Sequence, residues 1–216
     1  MREYHKIPGV FLRDTGGTKK LIDGRYRTSE LEALKDIVWV FTEKVDGTNI
    51  RVHWDGHRVE IAGRTDRAII PDELRTKLEE LFLTKETEEL FEQTFGEKDV
   101  ILFGEGYGRK IQKAGSHYIK DGVSFILFDV LIGDNYQTRD WVSLTAQLFG
   151  VDEVPVILFG TLKDGVDYMK RHPMSVIAPD YPMEGLVGKP WVELRDRRGE
   201  RIITKIKWDD MQEVLG

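Results

Sequence analysis

Lys44 stands in the stretch Glu43-Lys44-Val45-Asp46-Gly47-Thr48-Asn49, directly behind the apolar run Ile37-Val38-Trp39-Val40-Phe41. Such a run reads as a buried strand, so this lysine sits where the chain leaves the interior. An amine in that place can attack a phosphorus atom once it has lost its proton. Its unperturbed pKa is near ~10.4, so fewer than about one in a thousand is the free base at pH 7. Lowering that pKa by about 3 takes roughly 4 kcal/mol of differential destabilisation of the charged form. On a strand Val38, Val40, Thr42 and Lys44 point the same way, which predicts an apolar floor under the amine. Nearby cations or a metal would supply the rest.

Lys205-Ile206-Lys207 offers two cations. Strand periodicity puts both ammonium groups on one face with Ile206 buried behind them, an arrangement that an anion between them would relieve. Glu105, in Phe103-Gly104-Glu105-Gly106, and Glu184, in Met183-Glu184-Gly185-Leu186-Val187-Gly188-Lys189, stand at strand ends beside glycines. Carboxylates so placed can reach a ribose hydroxyl or a hydrated cation. Arg64, in Gly63-Arg64-Thr65, could clamp a phosphate, and Phe128 could present a ring to a base. The segment Arg109 to Lys120 carries four Lys/Arg and no acid, and Arg195, Arg197, Arg198 and Arg201 form a second basic cluster. Arg109, Lys110, Lys113, Arg197 and Arg198 are the predicted phosphate contacts for a nucleic acid. Taken singly, each position is also explained as an ordinary surface, turn or core residue; the case rests on the set.

The elements that must position these residues follow from the pattern. Residues 37–43 predict a strand and 49–62 a hairpin turning at Gly56. Pro71 to Phe95 predicts a long helix ended by Gly96, with Thr84-Lys85 as a point where it can break in two. Strands are predicted at 99–105, 123–132 and 154–159, with a glycine-containing basic loop at 104–122. Short helices are predicted at 143–149 and 165–171, a pair of strands at 186–194 and 200–207, and a terminal helix at 208–215. Ile7 to Leu12 reads as a short strand or a lid. The 216 residues, 40% hydrophobic and 32% charged, support a substantial core. No cysteine is present, which excludes disulfides and thiolate chemistry. The net charge of −6 argues against a uniformly basic nucleic-acid coat but permits a local basic groove. Neither a signal peptide nor a membrane span is apparent, so a cytoplasmic protein with no membrane partner is expected. Antiparallel hairpins with helices inserted between them predict one α+β domain over 1–216, with 1–36 as an N-terminal extension.

Lys44-x-Asp46-Gly47-x-Asn49, Phe103-Gly104-Glu105, Phe128-Asp129, Glu184-Gly185-Leu186-Val187 and Lys205-x-Lys207 resemble, in that order, the five nucleotidyl-transfer motifs of the covalent nucleotidyltransferases. That superfamily contains polynucleotide ligases and messenger-RNA capping enzymes. The likeness runs from about residue 37 to 208. Asn49, together with Gly104-Glu105-Gly106-Tyr107-Gly108 and Ile111-Gln112-Lys113, resembles the phage and bacterial RNA ligases. The resemblance implies an ATP-grasp-like ligase fold of antiparallel sheets with flanking helices. It implies an ATP-dependent enzyme with Mg2+ or Mn2+, a lysyl-AMP intermediate on Lys44, and sealing of a 5′-phosphate RNA end to a 3′-hydroxyl.

By the same resemblance Lys44, Lys205 and Lys207 are catalytic, the two later lysines holding phosphates. Glu43 and Glu105 serve the nucleotide, the latter at the ribose, Phe128 faces the adenine, and Glu184 holds the metal. Arg64 and Asn49 contact phosphate or the attacking end. Ligases commonly carry a further domain, often an OB-fold, after the last motif; none is expected in the nine residues that follow Lys207, so an accessory or end-healing partner chain is allowed for. A DNA ligase core, a capping-type nucleotidyltransferase and a non-catalytic RNA-end binding module remain open as other readings.

Overall fold

The computed structural model describes residues 1–17 and 20–215. In chain order the elements are β1 (Phe11–Arg13), β2 (Leu21–Tyr26), α1 (Ser29–Ala33), β3 (Trp39–Glu43), β4 (Thr48–Trp54), β5 (Val59–Gly63), α2 (Asp72–Phe82), α3 (Lys85–Phe95) and β6 (Val100–Gly108). There follow α4 (Gly115–Tyr118), β7 (Val123–Ile132), β8 (Asn135–Tyr136), α5 (Arg139–Phe149), β9 (Asp152–Glu153), β10 (Val156–Gly160), α6 (Leu162–Lys170), β11 (Gly185–Pro190), β12 (Thr204–Lys207) and α7 (Trp208–Leu215). They fall into two compact units. The first holds Met1–His5 and Asp46–Val154, the second Lys6–Val45 and Pro155–Gly216. Among the described residues no helix is long and apolar enough to cross a membrane.

The first unit is a sheet in the order β5-β4-β6-β7-β8, antiparallel throughout, with β9 added parallel to β7. Alternation sends Ile50, Val52, Trp54, Val100, Leu102, Phe125 and Leu127 to one face, where they meet α2, α3 and α5 through Leu74, Leu78, Phe82, Phe91, Val142 and Phe149. The helical stretch at 71–95 is two helices, Leu83 and Thr84 lying between them, because the Thr84 hydroxyl accepts from the Thr87 N–H at 3.2 Å and caps a new helix. The glycine-rich segment after Glu105, predicted as loop, continues as strand to Gly108, and its remainder closes through the single turn of α4.

The second unit is a sheet in the order β10-β3-β11-β12 with the β1-β2 hairpin alongside. Its inner face carries Trp39, Phe41, Leu186 and Ile206 against Leu162, Val166 and Met169 of α6 and Met211 of α7. A capping box between Thr161 and Asp164 starts α6 three residues earlier than predicted. The predicted strands at 186–194 and 200–207 are shorter, because residues 191–203 form a turn bridged at Arg195 and Arg201. The predicted strand at 154–159 is interrupted at Pro155, which has no N–H to give a ladder. Within 1–36, Gly9 bridges to Lys205 and the Lys205 N–H donates to the Pro8 carbonyl at 2.9 Å.

Gly104 lies under the Phe125 ring, which a methyl group there would meet at 2.2 Å, with the Ile126 carbonyl at 2.6 Å. Gly104→Ala should therefore cost about 1–3 kcal/mol by overpacking, read as a lower midpoint in urea unfolding.

Candidate active site

In the second unit the ladder brings the predicted lysines together. The Lys44 N–H donates to the Gly185 carbonyl at 2.9 Å, Gly185 pairs with Lys207, and Val187 pairs with Lys205. Ile206, between the two lysines, is fully buried, as strand periodicity predicts. Lys44 Nζ donates to Glu184 Oε2 at 2.7 Å, and Lys207 Nζ lies 3.2 Å from Glu184 Oε1. One carboxylate thus serves two ammonium groups. The two lysines of β12 respond in opposite directions. Burial, then the charges of Lys44 and Lys207, hold Lys205 below the ordinary lysine value against the pull of Asp210 and Glu184. Burial acts the same way on Lys207, but the charge and hydrogen bond of Glu184, with Asp209 and Asp210, outweigh it and raise Lys207.

The predicted apolar floor lies on the other face. Trp39 and Phe41 fill the core, whereas Val38, on the Lys44 side, is 54% exposed. The Glu43 side chain also turns inward. It is buried, accepts from Ser175 Oγ at 2.5 Å and from the Val176 N–H at 2.8 Å, and so holds the 175–178 turn instead of facing the lysines. Any contact from Glu43 on the Lys44 face would come from its backbone.

The first unit carries Asn49, Arg64, Glu105 and Phe128. Asn49 and Glu105 are directly opposed on β4 and β6 and share one face. Asn49 Oδ1 is buried and accepts no hydrogen bond among the described residues. Gly47 is a glycine of necessity, since a methyl there would stand 2.4 Å from the Gly106 carbonyl and 2.7 Å from Glu105 Cγ. Two groups hold the same segment: Tyr118 Oη accepts from the Asp46 N–H at 3.2 Å, and Gln112 Nε2 donates to the Gly47 carbonyl at 3.3 Å. Phe128 meets Tyr4 edge-on at 5.1 Å between ring centres. A cavity of about 450 Å3 lined by Met1, Glu60, Arg75 and Glu79, among others, includes none of the predicted site residues.

Arg51 escaped the sequence reading. Its side chain is fully buried, with Nε on the Gly63 carbonyl at 2.7 Å, Nη2 on Asp66 Oδ1 at 2.8 Å, and Nη1 on the Met1 and Arg2 carbonyls at 3.0 and 3.2 Å. It therefore holds both flanks of Arg64, which is exposed.

Residues 37–207 match the sequence profile of the family described as RNA ligase. The chain belongs to the RNA ligase family. Solved structures of the Naegleria gruberi RNA ligase share the fold. The form with pyrophosphate superposes with a TM-score of 0.62 at 21% identity, covering 86% of this chain and 53% of that one. A variant with ATP and Mn gives 0.64 at 20% identity, covering 96% and 62%. This RNA ligase family chain spans about half the length of the first of these. Comparison with curated protein sequences finds no match. The α+β architecture of antiparallel sheets with flanking helices is that expected from the sequence.

The basic residues of this RNA ligase family member divide between the units. Arg109 pairs with Asp121 at 3.1 Å, while Lys110 and Lys113 are exposed. Lys110 and Gln112 both have positive φ, so this loop is locally strained. In the 191–203 turn Arg198 pairs with Asp196 and Arg201 with Glu193, which neutralises part of that cluster. Arg197 is exposed and has no ion-pair partner among the described residues.

Arg51→Ala would leave the Gly63, Met1 and Arg2 carbonyls without their donor. A loss of about 3 kcal/mol is expected, measured by chemical denaturation, and Arg64→Ala at the exposed position should cost far less.

Proposed function

We propose that this chain is an ATP-dependent RNA ligase working through a lysyl-AMP intermediate. The observation that carries this reading is the cluster of Lys44, Lys205 and Lys207 around the single carboxylate of Glu184. Lys44 Nζ, as the free amine, attacks the α-phosphorus of ATP. A nitrogen–phosphorus bond forms, the α–β bridging bond breaks, and Lys205 and Lys207 stabilise the departing pyrophosphate. A 5′-phosphate oxygen of the RNA then takes the AMP and returns Lys44 to the amine. The 3′-hydroxyl oxygen attacks that 5′-phosphorus, a phosphodiester forms and AMP leaves.

Glu184 suits a hard divalent cation held mainly through substrate phosphates, the usual habit of Mg2+, and no group of three acidic or imidazole ligands occurs among the described residues. Such a cation, Mg2+ or Mn2+, would neutralise charge developing on the phosphates. Naegleria relatives solved with pyrophosphate and with ATP and Mn support this assignment. Asn49 Oδ1, an acceptor without a donor, suits a hydroxyl of the nucleotide or RNA end better than a phosphate, which offers only acceptors. On this reading Glu105 serves the ribose, Phe128 the adenine and Arg64 a phosphate.

Incubation with α-labelled ATP and Mg2+ should label the protein, and Lys44→Ala should abolish the label; an unlabelled wild type, or a labelled Lys44→Ala, overturns the reading. Lys205→Ala and Lys207→Ala should each slow labelling by about 10²–10³-fold. Because Lys205 releases its proton below the ordinary lysine value, its phosphate-binding charge is present on the acid side and lost as pH rises. The kcat/KM profile for self-labelling should therefore contain an alkaline limb below that value, and Lys205→Arg should move the limb upward.

A further inference from the structure

The sheet face that carries Lys44 continues past the lysines. Phe159 on β10 and Lys189 on β11 both lie opposite Val40, so they share the side on which Thr42 and Lys44 stand. Trp191 follows Lys189 by two residues, and its N–H donates to the Val38 carbonyl at 2.9 Å, so pairing persists to that point. The Phe159 and Trp191 rings meet edge-on, 5.6 Å between centres. Both are open to solvent, at 56% and 61%, and Val38 and Val192 beside them are also exposed. The buried face of this sheet already has its full apolar lining from Trp39, Phe41, Leu186 and Ile206. Two large aromatic side chains on the open face are therefore not required by the core.

Resting on the ligase reading, we propose that this end of the sheet is a docking platform for the RNA strand, bases stacking on Trp191 and Phe159 and phosphates passing Lys189 toward Lys205. From Val38 to Lys44 is six strand residues, about 20 Å, or about six steps of a stacked strand at about 3.4 Å each. The face thus carries a strand from its reacting end to a stacking anchor. Charge agrees with this occupant: Lys189 lies between the aromatics and the lysine cluster, and Arg197 in the adjoining turn has no carboxylate partner among the described residues. A second copy of the chain fits less well. Four apolar side chains are few against the roughly 20–30 residues a side of a stable protein pair, whereas every base has a face for a ring.

The test is a titration of the full chain with a short 5′-phosphorylated single-stranded RNA at fixed salt, read by anisotropy of the RNA. Trp191→Ala should raise Kd about tenfold and Phe159→Ala several-fold. Trp191→Phe, which keeps a stacking face, should recover most of the loss. Leu148→Ala, an exposed apolar position on α5, should leave Kd unchanged. A Trp191→Ala protein that binds RNA within twofold of wild type overturns the proposal. So does a dimer, seen by sedimentation, that Trp191→Ala dissociates while RNA affinity stays put. Label uptake from α-labelled ATP by the wild-type chain separately decides the ligase chemistry, so failure of one reading is distinguishable from failure of the other.

Discussion

Lys44 and Lys207 share the carboxylate of Glu184, and Lys205 stands on the same sheet face. At an effective dielectric of about 20, two like charges about 4 Å apart repel by about 4 kcal/mol, and Glu184 has only two oxygens with which to offset it. Its Oε2 takes Lys44 and its Oε1 faces Lys207. On Lys205, burial and two cationic neighbours outweigh the pull of Asp210 and Glu184. Such a cluster would splay apart on a loop. Here Ile206 is buried between the lysines of β12, and the register of β11 with β12 fixes Gly185 beside Lys207 and Val187 beside Lys205. The core thus holds in place charges that would otherwise separate.

The same alternation governs what holds Lys44 from behind. A residue next to it on the strand must face inward, and that residue is Glu43, a carboxylate at the edge of an apolar core. Burying it without partners would be costly. Ser175 Oγ and the Val176 N–H supply donors, and the Ser175 oxygen in turn accepts from the Ala178 N–H at 2.8 Å. The result is a polar anchor behind Lys44, tying the end of β3 to a turn more than 130 residues away.

Much of this was legible in the sequence, for reasons that also explain what was not. Lys205-x-Lys207 around a buried Ile206 follows from period-two alternation alone. The terminal helix at 208–215 and the paired helices at 71–95 follow from spacing and from Thr84-Lys85 as a point of breakage, which the structure shows to be a cap. The apolar floor failed because Ile37 to Phe41 is apolar on both faces: alternation tells which residues share a side, not which side is covered. Trp39 and Phe41 won the interior over Val38 and Val40 because α6 and α7 cover their face. Arg51 was hidden differently. In an alternating hairpin it reads as a surface residue, and its burial depends on carbonyls of Met1, Arg2 and Gly63 that no local pattern associates with it.

The spacing of Lys44, Asp46 and Gly47 has its own physical reading. The two units divide between Val45 and Asp46, one residue beyond Lys44. On one side the Lys44 N–H is fixed to Gly185 within the second unit's ladder. On the other, Asp46 and Gly47 are fixed within the first unit by Tyr118, Gln112 and the close approach of Gly106. A single residue, Val45, separates the two anchorages, and it is buried. A side chain at Gly47 would collide with the Gly106 carbonyl. Gly47 is fixed by that close approach, while Lys44 is fixed by its place in the second unit's ladder.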